Sequence, residues 1–295
     1  MTDIRKQTFG IEIETVGRDR EETAKIVAEY FGKTATYEGG YYNKYVVRDN
    51  KNRKWTFMTD GSLSLARSCE VVSPVLSYDD IEMLQEVVRA LRKGGCKADC
   101  SCGIHVHVGT DEVEDFARYA KNLSNLVETH YELLLKALNV LPVRKYWCKS
   151  NKQFQDTLNK KSPKSEADIM KAWYSENDEE YCTYRINEHY DQSRYHLLNL
   201  HSYFQGKGVE FRAFNGTMHA GEIRAYICLC LALNSYAINK KFVYKRNIEI
   251  GDNDLFLMNS WLFDMKMSGE EFINVRKHLL KYLSGDISYR YGRAV

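Results

Sequence analysis

The sequence predicts an α+β fold built on a largely antiparallel sheet. Three observations carry that expectation. Segments of strand period and segments of helical period are mixed along the chain. Several strand segments adjoin through hairpin-like turns. Four strand segments set charged or imidazole side chains at alternate positions with apolar residues between, the pattern of a sheet with one packed face and one polar face.

The elements follow in order. "TFGIEIETV" alternates apolar and acidic residues and reads as a strand. "DREETAKIVAEYFG" has helical spacing at Ile26, Val27, Tyr30 and Phe31, an acidic first turn, and Gly32 as its stop. Tyr41 to Val47 and Trp55 to Met58 read as a hairpin around "RDNKNRK". "SCEVVSP" is a further strand ended by Pro74. "SYDDIEMLQEVVRALRKGG" is a helix with Ser77 as N-cap, acids in its first turn and Gly94 and Gly95 at its end. "GIHVHVG" is the next strand, and Asp111 opens a helical stretch to about Leu141. "RYHLLNLHSYF" and "GVEFRAFNGTM" read as two strands around "QGKG". "AGEIRAYICLCLALNSYAINKKFVY" reads as a long buried helix, and "SGEEFINVRKHLLKYL" as one more.

The chain of 295 residues is expected to form one domain, 1–295. Residues 149–192 are polar, charged and Tyr-rich, with a short helix near Glu166–Tyr174, and are expected to form an insertion or lid. Hydrophobic content of 44% and charged content of 28% place the chain among soluble globular proteins. A net charge of +2 implies no strong pull toward nucleic acid or an anionic membrane, so neither is expected as a partner. No apolar run is long enough for a bilayer span and no leader is evident, so a cytoplasmic location is expected. The eight cysteines are then expected to be reduced.

The chemistry lies in the alternating strands. Glu12 and Glu14 share one face of the first, and Glu70 is offered by "CEVVSP", with Asp60 shortly before it. His105 and His107 share a face, as do Glu210 and Arg212. Each motif alone fits a solvated sheet face or a surface ion pair worth ~0–1 kcal/mol. Together they place carboxylates, imidazoles and a guanidinium on one surface. Like carboxylates repel, and divalent cations with a taste for oxygen neutralise them. Imidazole among carboxylates suits Mg²⁺ or Mn²⁺ where phosphate completes the shell, and arginine suits a transferring phosphoryl group. Zinc is the rival, because Cys96, Cys100 and Cys102 precede His105 and His107. Their spacing does not match the paired ligands of structural zinc sites, so small buried thiols are the preferred reading.

"FGIEIET", "TDGSL…CEVVSPV", "CGIHVHVG" and "GVEFRAFNGTM" occur in the order and approximate spacing of the amidoligase family, and from about Thr8 to Tyr236 the chain resembles it. That family belongs to the carboxylate–amine ligases related to glutamine synthetase and glutamate–cysteine ligase. The resemblance implies a curved, mostly antiparallel sheet of the glutamine synthetase catalytic-domain type, backed by helices, holding ATP and Mg²⁺ or Mn²⁺. It implies Glu12, Glu14, Glu70, His105 and Glu210 as metal ligands. His105 and His107 would meet the nucleotide phosphates, and Arg212 would bind phosphate and act in catalysis. Asp60 and Arg194 follow as substrate or phosphate contacts, Asp60 counted with Arg212 as catalytic, and Asn215 as a nucleotide contact beside Gly216 and Thr217. Arg67 departs from the pattern as a basic residue near the acids and is expected to meet a substrate carboxylate.

The implied activity is ATP-dependent joining of a carboxylate to an amine through an acyl phosphate, with a small-molecule amine and a carboxylate, or a peptide or protein, as partners. The alternatives are a metal-dependent phosphotransferase or ATPase of the same fold, and a zinc-dependent hydrolase or binding module.

Overall fold

The computed structural model describes residues 2–61, 63, 66–188 and 190–289. The first strand, β1 (Thr8–Val16), has the expected bounds, and α1 (Arg20–Phe31) ends at Gly32, which takes the left-handed conformation at φ 64°. Asp19 caps α1 by accepting the Glu22 N–H. The buried stripe of α1 is Ala24, Val27, Ala28 and Phe31, with Tyr30 outside. The hairpin region holds three strands: β2 (Thr36–Gly39), β3 (Lys44–Arg48) and β4 (Lys54–Met58). β3 is shorter than expected because Tyr41 lies in a turn, 93% exposed, and β2 had too little alternation to be read.

β5 (Ser68–Val72) and the two-residue β6 (Leu76–Ser77) lead into α2 (Ile81–Lys93), and β7 (Gly103–Val108) is the histidine strand. The helical stretch expected from Asp111 starts later and breaks. α3 (Phe116–Thr129) is capped by Asp115, and α4 (Tyr131–Ala137) restarts beyond His130. His130 stacks on Trp261 with ring centroids 3.7 Å apart.

The segment expected to be a polar lid folds as α5 (Lys152–Lys161), α6 (Glu166–Tyr174) and α7 (Glu179–Ile186). Phe154, Leu158, Ile169 and Trp173 are buried in the main core, so α5 and α6 are packed elements that lean on α3. "LHSYF" is not a strand. β8 (Leu198–Asn199) stops after two residues and α8 (His201–Phe204) turns the chain, because Asn199 Oδ1 accepts the His201 N–H at 2.8 Å. β9 (Val209–Asn215), α9 (Ala220–Asn239), α10 (Asp254–Asp264) and α11 (Ile273–Leu280) complete the order.

The strands form a nine-stranded sheet in the order β2-β3-β4-β5-β1-β7-β9-β8, with β6 also on β1, and every named pairing is antiparallel. The four motif strands, β5, β1, β7 and β9, are therefore consecutive neighbours. Phe9, Ile11, Ile13, Val71, Ile104, Val106 and Phe211 are at most 1% exposed and form the packed face. α9, apolar nearly all round, lies behind β7 and packs on α2, α3 and α11. Among the described residues no helix is long and apolar enough to cross a membrane.

One corner of the sheet is locked by charge. Asp49 accepts the Lys51 and Arg53 N–H groups and so builds the β3–β4 turn. Arg53 then reaches Asp80 with two N–H groups, at 2.6 and 3.0 Å, and Lys51 joins at 2.8 Å. Asp80 also accepts the N–H and hydroxyl of Ser77 just before α2. Burial alone would raise Asp80, but Arg53 and Lys51 hold it well below the ordinary carboxylate range. Asp80→Asn should cost about 1–3 kcal/mol at neutral pH, read by urea unfolding. A depressed carboxyl stabilises above its unfolded pKa and loses that contribution as pH falls through its folded one. The gap between wild type and variant should therefore close below pH ~4, and an equal gap at pH 7 and pH 3 would remove the charge argument.

Candidate active site

The antiparallel register decides which side chains meet. Glu12 stands opposite His105, Glu14 opposite Glu70, and His107 opposite Glu210. These six residues and Arg212 line a cavity of about 900 Å³ on the polar side of the sheet. Asp60, just after β4, and Arg194, in a short 3₁₀ turn, line it from the walls. Ser62, Ser64 and Leu65 of the loop between β4 and β5 lie outside the described residues.

At the centre, Glu12 bridges the two histidines. His105 Nδ1 lies 2.9 Å from one of its oxygens and His107 Nε2 3.1 Å from the other. Burial pushes Glu12 up, but the His107 and His105 imidazoles outweigh it and hold Glu12 well below its usual range. Burial likewise pushes His107 down, and the Glu12 carboxylate more than reverses this. The other ring nitrogen of His107 meets the Ser202 hydroxyl at 3.1 Å.

Glu210 and Arg212 are buried on the same side of β9 and joined by an ion pair through Arg212 Nη1. Between Ile104 and Val106 the β7–β9 register shifts, so Arg212 and Ala213 together oppose His105. This bulge sets the angle at which Arg212 leaves the strand. Asn199 donates to the second Glu210 oxygen at 2.6 Å. Burial raises Glu210, but Arg212 and the two imidazoles bring it down to about 2.

Glu14 and Glu70 are placed differently. Glu14 accepts the Gly103 N–H at 2.6 Å and has the Arg144 guanidinium 3.6 Å away. The side chain of Glu70, 5% exposed, accepts no hydrogen bond among the described residues, although its carbonyl oxygen accepts from the Cys69 thiol. Burial, then the charges of Glu12, Asp60 and Glu14, push its carboxyl well above the ordinary range. Three sets of ligand atoms each lie within 4.8 Å of one another: Glu12, His107 and Glu210; Glu12, Glu70 and His105; Glu14, Asp60 and Glu70.

Two expected contacts fall elsewhere. Asn215 does not line the cavity. Its Oδ1 accepts the Leu141 N–H at 3.0 Å and its amide donates to Asn139 O at 2.8 Å, so it clamps the chain leaving α4. Thr217 likewise serves the start of α9 by donating to Glu222. Arg67 turns away from the acids and pairs with Glu22 of α1. The thiols of Cys96 and Cys102 are buried, which pushes each up to about 11, and no cysteine joins the ligand sets among the described residues.

The sequence reading missed Arg144, Asn199 and Ser202. Arg144 sits in the 3₁₀ turn Pro142–Arg144, where no periodicity marks a site. Its signal was Gly103, since a Cβ there would run into the guanidinium.

Fold and cavity do not by themselves fix a function, and comparison with known proteins gives the family. The family model described as "Putative amidoligase enzyme" matches residues 5–234. The chain belongs to the amidoligase family. Among solved structures it is similar to a bifunctional glutathione synthetase from Pasteurella multocida, at 13% identity and a TM-score of 0.38, over 95% of this chain and 47% of that one. The chain thus spans about half the length of that synthetase. No curated protein matches the chain.

Glu70 provides a direct test of the electrostatics. A carboxyl raised in the folded state favours folding below its unfolded pKa of ~4.3 and loses that contribution as pH rises through its folded value. In metal-free protein at pH 7.5, Glu70→Gln should therefore raise Tm by roughly 2–4 °C, with the gain shrinking toward pH 4. Added Mg²⁺ should stabilise wild type more than the variant. A lower Tm for metal-free Glu70→Gln at pH 7.5 would contradict this account.

Proposed function

We propose that the protein is an ATP-dependent carboxylate–amine ligase that forms an amide or isopeptide bond through an acyl phosphate, on a sheet of the glutamine synthetase catalytic-domain type. The observation that supports this most is the sharing of Glu12 and Glu70 between adjoining ligand sets, with Arg212 buried beside them. The donor set fits hard divalent cations such as Mg²⁺ or Mn²⁺. Oxygens outnumber imidazoles, and a buried Glu70 with no hydrogen-bond donor is what a nearby cation would satisfy. Glu12, Glu14, Glu70, His105 and Glu210 would hold such ions, with Asp60 and His107 at the edge of the sets. Bound there, the ions would neutralise phosphate oxygens.

The chain's own groups account for the rest. Arg212 has its Nε without a partner while Nη1 is tied to Glu210, so it keeps a donor free for a phosphoryl oxygen. His107 has both ring nitrogens engaged, by Glu12 and Ser202, so it would meet a second phosphoryl oxygen only by giving up one of these partners. Trp147 and Tyr195, packed edge to face at 4.8 Å, form a wall that limits water at the reacting carboxylate. The cavity volume suits a nucleotide with small reactants, so a small amine and a carboxylate, free or on a peptide, are the proposed partners, and at a net charge of +2 neither nucleic acid nor membrane is proposed as one. ATP and Mg²⁺ are both supplied in the cytoplasm, the location that goes with this reading.

The reaction is tested with ATP, Mg²⁺, a panel of amines and an acid labelled with ¹⁸O in its carboxylate. The expected products are amide, ADP and phosphate carrying one ¹⁸O. A phosphorylated acid without amide would make the protein a phosphotransferase, and unlabelled phosphate alongside amide would remove the acyl phosphate. Arg212→Lys should lower kcat about 100-fold with little change in KM for ATP. Unchanged turnover in that variant would remove Arg212 from the chemistry.

A further inference from the structure

The Arg144 guanidinium is a buried and poorly satisfied cation in the cavity wall. The residue is 3% exposed, so water does little for it. A guanidinium carries five N–H donors. Nε has no partner, Nη2 lies 3.5 Å from His105 Nε2, and Nη1 lies 3.6 Å from Glu14, beyond a good hydrogen bond. Glu14 spends its short contact on the Gly103 N–H instead. Burial accordingly pulls Arg144 below its ordinary value, Glu14 offsets only part of this, and Arg212 adds repulsion.

The fold nevertheless takes care to place this group. The turn that carries Arg144 follows the residues clamped by Asn215 at the end of β9. Gly103, at the start of β7, leaves open the volume the guanidinium fills. A buried, well-positioned and under-satisfied cation facing a cavity is what an anion site requires.

We propose that Arg144 is a second anion-binding guanidinium of this cavity, and that with Arg212 it holds the phosphoryl or acyl-phosphate oxygens between two planar forks. The assignment rests on the ligase reading for the identity of the anion, but not for its charge. A guanidinium on each side orients the anion, whereas one alone leaves it free to pivot. Asn215 is then a positioning residue, acting through the turn that bears Arg144.

The test is calorimetric titration of Mg²⁺-loaded protein with pyrophosphate and with a non-hydrolysable ATP analogue, with melting curves alongside. The variants are Arg144→Met, Arg144→Lys and Gly103→Ala. Arg144→Met should weaken both ligands at least about tenfold, and Arg144→Lys should keep part of that affinity. Gly103→Ala leaves the arginine in the chain and displaces its head, so it should mimic Arg144→Met in binding while staying folded, with a modest loss in its melting curve. Full pyrophosphate and analogue affinity in folded Arg144→Met, or in Gly103→Ala, would overturn the proposal and leave Arg144 a structural partner of Glu14. Wild type that binds neither anion would overturn it as well. Wild type that binds pyrophosphate but not the analogue, with the variants losing it, would support Arg144 while removing the nucleotide.

Discussion

Glu14 and Glu70 stand opposite one another across the β1–β5 ladder, and both are buried. Like charges directly opposite in a sheet destabilise it, and burial makes each charge costlier. Glu12 lies two residues from Glu14 on β1 itself and Glu210 lies beyond β7 on β9, so the repulsion is shared by the whole centre of the sheet. The chain answers with positive partners at fixed places. His105 stands opposite Glu12, Arg212 pairs with Glu210, and Arg144 approaches Glu14. Glu70 is left over, and its raised carboxyl records the charge that these partners do not cover.

What makes this arrangement tolerable is the opposite face of the same strands. Each fully buried Ile, Val or Phe contributes about 1.5–3 kcal/mol, and β1 and β7 alone bury Phe9, Ile11, Ile13, Ile104, Val106 and Val108. A one-residue slip of register would send those side chains into the cavity and the carboxylates into the core. The packing of α9 behind β7 thus fixes which groups face the cavity. The β7–β9 bulge is the local departure from this ladder, and it falls at Arg212 beside His105, where the direction of a side chain matters more than the regularity of the strand.

Alternation made the sheet legible. β1, β7 and β9 combined period-2 polarity with a period-2 apolar set, and β5 offered Glu70 beside Val71, so Glu12, Glu14, Glu70, His105, His107, Glu210 and Arg212 could be assigned to one surface before any geometry was known. Residues outside regular elements were not legible in this way. Arg144 reaches the cavity from a 3₁₀ turn far along the chain, and Asn199 and Ser202 sit where a strand gives way to a helical turn. Asn215 looked like part of a ligand motif because it follows Arg212 in the sequence. Its amide is consumed by the backbone of residues 139–141, a partner that only the fold supplies. The helices of 152–186 were obscured for a related reason. Their exposed faces are strongly polar, and the few apolar residues that enter the core are spread over three short elements.

Charge balance ties these parts together. Among the described residues the cavity is lined by five acids, Glu12, Glu14, Asp60, Glu70 and Glu210, and by five strong bases, Lys44, Arg144, Arg194, Lys207 and Arg212. The two sets are segregated. All the acids but Asp60 stand on the central strands β1, β5 and β9, whereas all the bases but Arg212 come from β3 or from connecting turns. A divalent cation on the acidic floor leaves such a cavity with excess positive charge, and a polyanion among the basic groups leaves it with excess negative charge. Each is favoured by the presence of the other, because neither set can neutralise its opposite without leaving its own ligand uncompensated. The segregation also separates the two tasks in space. On the proposed reading, carboxylates that would repel a phosphate would be engaged by the cation, and the guanidiniums would remain to meet the oxygens. Arg212 is paired with Glu210 and Arg144 approaches Glu14, and if all ten groups were paired in this way little would remain to bind either ligand, so it is the placement of charge by strand and turn, rather than its amount, that on the proposed reading suits this surface to a metal-linked anion.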